Sequence, residues 1–312
     1  MAEWKAEIAV SEALARTLLT RQFPRLQLRE LRPFGEGWDN TVFLVNGEWI
    51  FRFPRRQVAI PGVETEMRVL PRLAALLPLP IPTPEFLGQP SPEYPWPFFG
   101  SRWVPGREVP ELSLSEAQRI RLAGPLARFL KALHAPAVFE ALGGELRVDP
   151  VGRGNMSARV PMTETKLRDV EQLGLWRAPA EVPALLREAA NLPIPPPVSV
   201  LHGDLHFRHL LIDDVGDLRG VIDWGDLQAG DPAVDLQLYW SLLPPAGRAE
   251  FLREYGPIPE DRLLRARVLA LFLGAALASY GHQERMTAVE REALWSLDNT
   301  LRHPPDDRPS SG

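Results

Sequence analysis

Two kinds of apolar pattern follow one another along the chain. Up to about residue 103 apolar positions mostly alternate, and from residue 113 onward they recur at helical spacing, the marks of strands and of amphipathic helices respectively. Residues 5–21 are a first exception, where Ile8, Leu14, Leu18 and Leu19 share a broad apolar face and predict a helix. Alternation around Leu26, Leu28 and Leu31 predicts a first strand. "TVFLV" and "EWIFRF" predict two more, joined by Asn46-Gly47, a strong hairpin signal between β-forming residues. Residues 62–77 have helical spacing, with Pro71 expected to kink or break the helix. The proline-rich stretch at 78–97 keeps Phe86, Leu87, Tyr94 and Trp96, so short strands at 84–88 and 97–103 suit it better than a disordered linker.

After "VPGREVP", which reads as a junction, Ser115 opens a capping box (S-E-A-Q), with Ser113 as a second cap, for a helix through about Leu133. Residues 134–198 mix helices and loops, and 232–254, 259–282 and 287–302 read as terminal helices. Strands with one main helix, then a largely helical half, predict an α+β fold in two lobes, residues 1–104 and 105–312, with a cleft between them.

Composition narrows the function by exclusion. The 312 residues are ample for a core, and 35 basic against 40 acidic side chains give a net charge of −5. That is no footprint for nucleic acid. The absence of cysteine rules out disulfides, thiolate catalysis and Cys-bound zinc. The first twenty residues lack the long apolar stretch of a signal peptide, and no apolar run reaches about 18 residues, so no membrane span is expected and the cytoplasm is the expected compartment. No pattern specifies an oligomeric state.

The first candidate for chemistry is "GEGWDNTV", Gly35 to Val42, between two predicted antiparallel strands. A dinucleotide fingerprint or a Walker loop needs a helix after the glycines, so neither fits. The spacing instead matches the hairpin that covers nucleotide phosphates in kinases, with Asn40 at the third glycine and Thr41 and Val42 beginning the next strand. Asn tolerates positive φ better than other non-glycine residues. On the following strand Ile50 and Arg52 share a face, so Ile50 can roof a base while Arg52 reaches phosphate oxygens. Glu66 on the next helix is the candidate partner for Arg52, with Glu64 as runner-up.

The second candidate is "HGDLHFRHLLID" at 202–213, followed by "GVIDWGD" at 220–226. Two apolar runs separated by "DDVGDL" read as a tight hairpin that brings Asp204, His209 and Asp223 to one end, a geometry suited to a base and a divalent metal. These motifs, with "GDPAVDL", the glycine hairpin and the hinge-like "SRWVPG", resemble the aminoglycoside phosphotransferase family, which has a protein-kinase-like fold. The resemblance is strongest to the branch of the 2″-aminoglycoside and macrolide 2′-phosphotransferases, and it covers roughly residues 25–240.

The resemblance implies roles for particular residues. Asp204 is the catalytic aspartate that orients an acceptor hydroxyl. His209, in place of a more usual asparagine, and Asp223 hold the metal, Mg²⁺ or, given the imidazole, Mn²⁺. Trp224 takes an aromatic slot beside Asp223. The backbone of Arg102, Trp103 and Val104 faces the nucleotide base, ATP or GTP, and residues 1–104 become the nucleotide-binding lobe. His206, Asp226 and Tyr239 are possible acceptor contacts, while Asp231 and Asp235 fix the loop and cap the next helix. The acceptor wall is expected in "LQLYWSLLPPAGRAEFLREYG", which is apolar and aromatic for two turns. It suits a macrolide sugar or another weakly charged metabolite better than a polycation. Two other readings stay open: a catalytically weak nucleotide-binding protein of the same fold, and a metal-dependent hydrolase ligated by His202, Asp204, His206, His209 and Asp223.

Overall fold

Hydrogen-bonded pairing follows the alternation read from the sequence. In the computed structural model, which describes residues 6–37 and 39–302, Asn46 and Gly47 both have positive φ (54° and 70°). They join β2 (Asn40–Val45) to β3 (Trp49–Pro54), with Val42 opposite Arg52. Residue 5 of the predicted first helix, the N-terminal stretch before it, Trp38 of the glycine turn and the tail after residue 302 lie outside the described residues.

Two compact units emerge. The first holds the described residues up to Leu76, Pro80–Pro105 and Ile222–Leu227. Helix α1 (Glu12–Gln22) starts later than its periodicity suggested, because the Ser11 hydroxyl accepts the Leu14 N–H at 3.2 Å and caps it. The strand expected around Leu26 and Leu28 begins only at Leu31. Leu26 lies in a 3₁₀ turn, and the Asn46 side chain holds the stretch after it through the N–H groups of Arg29 and Glu30. Strands β1 (Leu31–Glu36), β2 and β3, with β4 (Pro84–Gly88) and β5 (Phe98–Arg102), form one antiparallel sheet in the order β1-β2-β3-β5-β4. Its core is aromatic: Phe43, Phe51, Phe53 and Phe98 are buried with Leu18 and Leu19 of α1, and Phe53 stacks on Phe98 at 4.5 Å. Helix α2 (Ile60–Ala74) runs through Pro71 without ending. Proline removes a single N–H donor, and Val69, Leu70 and Leu73 around it are fully buried, so packing holds the last turn.

The second unit holds the remainder. It contains β6 (Arg107–Glu108), α3 (Val109–Leu112), α4 (Glu116–Leu133), α5 (Pro136–Leu142), α6 (Met156–Gln172), α7 (Val182–Ala190), β7 (Ser199–Leu201), β8 (Leu210–Ile212), β9 (Leu218–Val221), β10 (Gln228–Gly230), α8 (Ala233–Ser241), α9 (Pro245–Tyr255), α10 (Glu260–Gln283) and α11 (Thr287–Leu301). Ser115 and Gln118 form the expected capping box of α4. Ser113, the other predicted cap, has φ 49° and instead ends α3. The segment 232–254 divides into α8 and α9 at the Pro244-Pro245 pair. Strands β8 and β9 form the predicted hairpin, extended by β6, and β7 pairs with β10.

Helix α10 is long and apolar enough to cross a membrane by length and composition, although its sequence holds no unbroken apolar run of that length. Just over half of its apolar window, 56%, is buried within the chain, against α6, α8 and α11. The fold is therefore α+β as expected, an antiparallel-sheet N-terminal region and a helical C-terminal region.

Candidate functional site

In the first unit the predicted pair forms. Arg52 Nη1 donates to Glu66 Oε2 at 2.7 Å, and its Nη2 donates to Asp223 Oδ1 at 3.2 Å. Glu66 is fully buried on α2, and Glu64, the runner-up, is exposed. Helical geometry decides between them: Val63, Glu66 and Leu70 share the inward stripe. Burial pushes the Glu66 carboxyl up to about 7, opposed by Arg52 and reinforced by Asp223. Burial also works against the charge on Arg52, but Glu66 and Asp223 outweigh it and raise its pKa. Asp223 adopts φ 66°, a sparsely populated region for a non-glycine residue. Gly62 lets the segment carrying Asp223 lie on α2, since a Cβ there would meet the Gly225 carbonyl oxygen at 2.6 Å.

The glycine hairpin is held by residues that periodicity did not single out. Arg55 reaches Glu36 and the Gly37 carbonyl, and Arg56 donates to Asp39 at 3.0 Å. Burial raises the Asp39 carboxyl above its usual range, Arg56 opposing while Asp223 and then Asp226 add to it. Asp39 therefore joins the two predicted acids electrostatically, and the exposed Asp226 stays with this group. Positive φ is not required at Asn40, which is the first residue of β2; its carbonyl accepts the Gly37 N–H at 2.9 Å. Gly35 and Gly37 are exposed, and Thr41, Val42 and Ile50 are half-buried. At the hinge-like stretch Arg102 and Trp103 are exposed and Val104 is buried. The Trp103 N–H is already bonded to the Glu48 carbonyl at 2.8 Å.

In the second unit Asp204 sits in a loop fixed from below. The fully buried Asp235 accepts the backbone N–H groups of His202 (2.8 Å) and Gly203 (3.0 Å), and His134 Nε2 lies 3.2 Å from it. Burial opposes the charge on Asp235, but His134 and these donors prevail and lower its pKa. Gln237 bonds the Leu205 carbonyl. Asp231 caps α8 through the Ala233 N–H and pairs with Arg262 at 3.0 Å. The loop-fixing role read for Asp235 thus stands. Its partner His134, on the far end of α4, carried no local signal.

Ligand atoms of Asp204, His206 and His209 lie within 4.8 Å of one another, and the His206 and His209 rings stack at 3.8 Å. Their tautomers differ. His209 Nδ1 faces the Asp204 carbonyl at 2.8 Å, so it carries the proton and leaves a lone pair on Nε2. His206 Nδ1 accepts the Arg208 N–H and His202 Nδ1 accepts the Asp204 N–H, both at 3.3 Å, which puts the proton on Nε2 of each. Burial first, then His209, Arg208 and His202, holds His206 well below the ordinary histidine range.

Asp204 opens onto a pocket of about 240 Å³ walled by Arg153, Arg159, Val234, Leu269 and Phe272, among others. This corrects the expected acceptor wall. The residues after Asp235 form α8, where Leu236, Leu238 and Tyr239 are buried, and Tyr239 packs edge-on against Phe251 at 5.6 Å. The pocket walls come mainly from α6, α10 and the turn before α6, with Val234 at the start of α8, and a helical pattern does not distinguish a wall from a core face.

A profile of the Phosphotransferase enzyme family matches residues 30–270, and the chain belongs to that family of enzymes. The chain resembles the GDP complex of aminoglycoside 2′-phosphotransferase-IIIa with TM-score 0.68 and 24% identity, over 93% of this chain and 98% of that one. It also resembles macrolide 2′-phosphotransferase MphH from Brachybacterium faecium, with TM-score 0.57 and 21% identity over 93% and 99%. These likenesses carry the fold. "Uncharacterized protein YcbJ" of Bacillus subtilis (strain 168) is 40% identical over 57 residues, 18% of this chain and 19% of that protein, so the chain matches less than a fifth of that relative's length.

Proposed function

We propose that this protein transfers the γ-phosphoryl group of ATP or GTP to a hydroxyl of a small-molecule acceptor, with Asp204 as the base. The observation that carries the reading is the setting of Asp204. Its carboxylate is about one-third exposed and lines a pocket, while the backbone of its loop is pinned by the buried Asp235. Phosphoryl transfer asks a protein mainly for positioning and charge stabilisation, and a preorganised carboxylate at a pocket wall meets the first demand. Asp204 orients the acceptor hydroxyl and takes its proton late. The neutral His206, 3.7 Å from the carboxylate, presents its Nε2–H side and does not compete for that proton.

Nucleotide is assigned to the first unit: Gly35, Gly37, Asn40, Thr41 and Val42 cover phosphates, Arg52 donates to them, Ile50 roofs the base and the backbone of 102–104 faces its edge. We assign a divalent metal, Mg²⁺ or Mn²⁺, to His209, whose proton on Nδ1 leaves Nε2 unprotonated, and to the half-exposed carboxylate of Asp223. When bound, that ion neutralises charge on the transferred group. The hydrolase alternative would need His202 and His206 as further ligands, and the backbone N–H at Nδ1 of each speaks against it.

The test is acceptor-stimulated turnover of ATP and GTP with Mg²⁺. Asp204→Asn is expected to lower it by about 10²–10⁴-fold, the usual contribution of a positioned base, with nucleotide affinity retained. Equal turnover by the variant would overturn the reading.

A further inference from the structure

We infer that the acceptor carries an anionic group, a carboxylate or phosphate, on a compact apolar body, and that Arg159 binds that group; this rests on the reading of Asp204 as the base. Arg159 lies on α6, is only 5% exposed, and lines the same pocket as Asp204. Its guanidinium sits over the Phe272 ring at 4.6 Å, and among the described residues no acceptor bonds it; Nε is buried without a partner.

Among the described residues, each of the other buried arginines of this unit reaches at least one acceptor through its guanidinium. Arg119 forms two bonds to Glu292 at 2.6 and 2.7 Å. Arg265 reaches Asp261 at 2.9 Å and the Pro193 carbonyl at 2.8 Å. Arg248 donates to backbone carbonyls, including that of Leu243 at 3.0 Å. The acid whose charge acts on Arg159, Asp149, accepts the backbone N–H groups of Arg153 (2.6 Å) and Gly154 (2.8 Å), one on each oxygen. A buried cation without a counter-charge is costly. Burial, and then the charge of Arg153, already lowers the Arg159 pKa. A ligand anion supplies what the chain does not, and the planar fork of arginine suits a carboxylate or phosphate.

The rest of the pocket agrees. Among the described residues Asp204 is the only acid lining it, and Arg153 Nη2 lies 4.0 Å from the Asp204 carboxylate, so a polycation would meet two arginines. Val234, Leu269 and Phe272 make the walls apolar. At about 240 Å³ the pocket is smaller than the roughly 300–1,000 Å³ of drug-sized sites, which argues for a small acceptor.

The experiment is thermal unfolding of the full chain without nucleotide, titrated with 3-phenyllactate, with its uncharged amide and with inorganic phosphate. A ligand that binds only the folded state raises Tm with its concentration. The acid is expected to raise Tm at concentrations at least about tenfold below those the amide needs, a difference of the size that a single charge-assisted contact produces. Arg159→Gln should abolish that preference and Arg159→Lys retain part of it. Arg159→Met, which keeps the stem over Phe272 and removes the unpaired charge, should leave the unliganded Tm unchanged or higher, which also reports that the variant folds.

Equal action of acid and amide, no shift with the acid, or a clear loss of Tm in Arg159→Met would overturn the inference. So would a loss of GDP protection in Arg159→Gln, which would assign the guanidinium to nucleotide phosphates. The transferase reading fails separately, as nucleotide turnover that survives Asp204→Asn while the Arg159-dependent acid preference remains.

Discussion

Among the described residues, each unit has an arginine–glutamate pair with a buried glutamate, and the two pairs are built differently. In the second unit Arg119 faces Glu292 with two parallel bonds, both side chains about 3% exposed, and its guanidinium covers the Trp295 ring at 3.5 Å. Every strong contact is closed on itself. In the first unit Arg52 divides its donors between Glu66 and Asp223, and Glu66 Oε1 is left buried without a partner. The same two residue types thus make a clamp between α4 and α11 in one place and an open, three-membered charge system in the other. A closed pair lends rigidity, while an open one keeps donors that a ligand can recruit. On the proposed reading, the contrast is that between a structural ion pair and a ligand-binding one.

Removing the arginines should show the difference most strongly. Arg52→Ala is expected to reduce phosphotransfer by about 10²–10³-fold, the usual effect of deleting a donor to developing charge. It should cost less stability than the Arg119 variant, because a lone Glu66, already raised to about 7, can take up a proton. A stability loss in Arg52→Ala equal to that in Arg119→Ala, with turnover intact, would erase the distinction.

Arg119→Ala leaves Glu292 buried without its partner. Loss of one member of such a pair costs about 3–5 kcal/mol, read by urea unfolding, and GDP affinity of the folded protein should not change. A loss below about 1 kcal/mol would mean the pair behaves like a surface one.

A pH titration sharpens the picture for Glu66. Its folded pKa stands at about 7 against an ordinary 4.5, so over that interval the folded state binds more protons than the unfolded state. Stability from this group is complete below about 4.5 and is lost as the pH rises through about 7. Glu66→Gln, which mimics the protonated form, should flatten that decline in a series of urea curves. An unchanged slope would place the proton elsewhere.

The smallest effect is expected at Glu64. It is exposed on the same helix, and Glu64→Gln should alter stability by no more than about 0.5 kcal/mol and leave turnover unaltered. A large loss would exchange the roles of Glu64 and Glu66.

Much of the nucleotide half of the site was legible because its logic is local. The Asn46-Gly47 turn sets the register of β2 on β3, and alternation then puts Ile50 and Arg52 on one face, away from the buried Phe51 and Phe53. Helical spacing offered Glu66 and Glu64, and burial chose between them. Legibility failed where a local signal had two tertiary outcomes. The apolar run after Asp235 has the same pattern whether it faces a ligand or a core, and it faces the core. Asn40 in a glycine position is read as a residue that tolerates positive φ, but strand pairing with Pro54 keeps it extended. Pro71 is read as kinking or breaking α2, and with buried neighbours on either side the helix runs through it without a break.

Pattern and spacing determined the order of the main elements and the α+β class, which depend on periodicities of two to four residues, and the resemblance of motifs a few residues long pointed to the family. Only the tertiary structure decided the partners: Arg52 with Asp223, 171 residues away, His134 with Asp235, 101 away, and Arg119 with Glu292, 173 away. It also decided that His209, and not His206, frees Nε2, and that Arg159 lacks a counter-charge beside Asp204. The physical reason is the same in each case. A side chain's protonation, pairing and access to ligand are set by the dielectric and the neighbours that packing brings to it, and no sequence window short enough to show a period contains them.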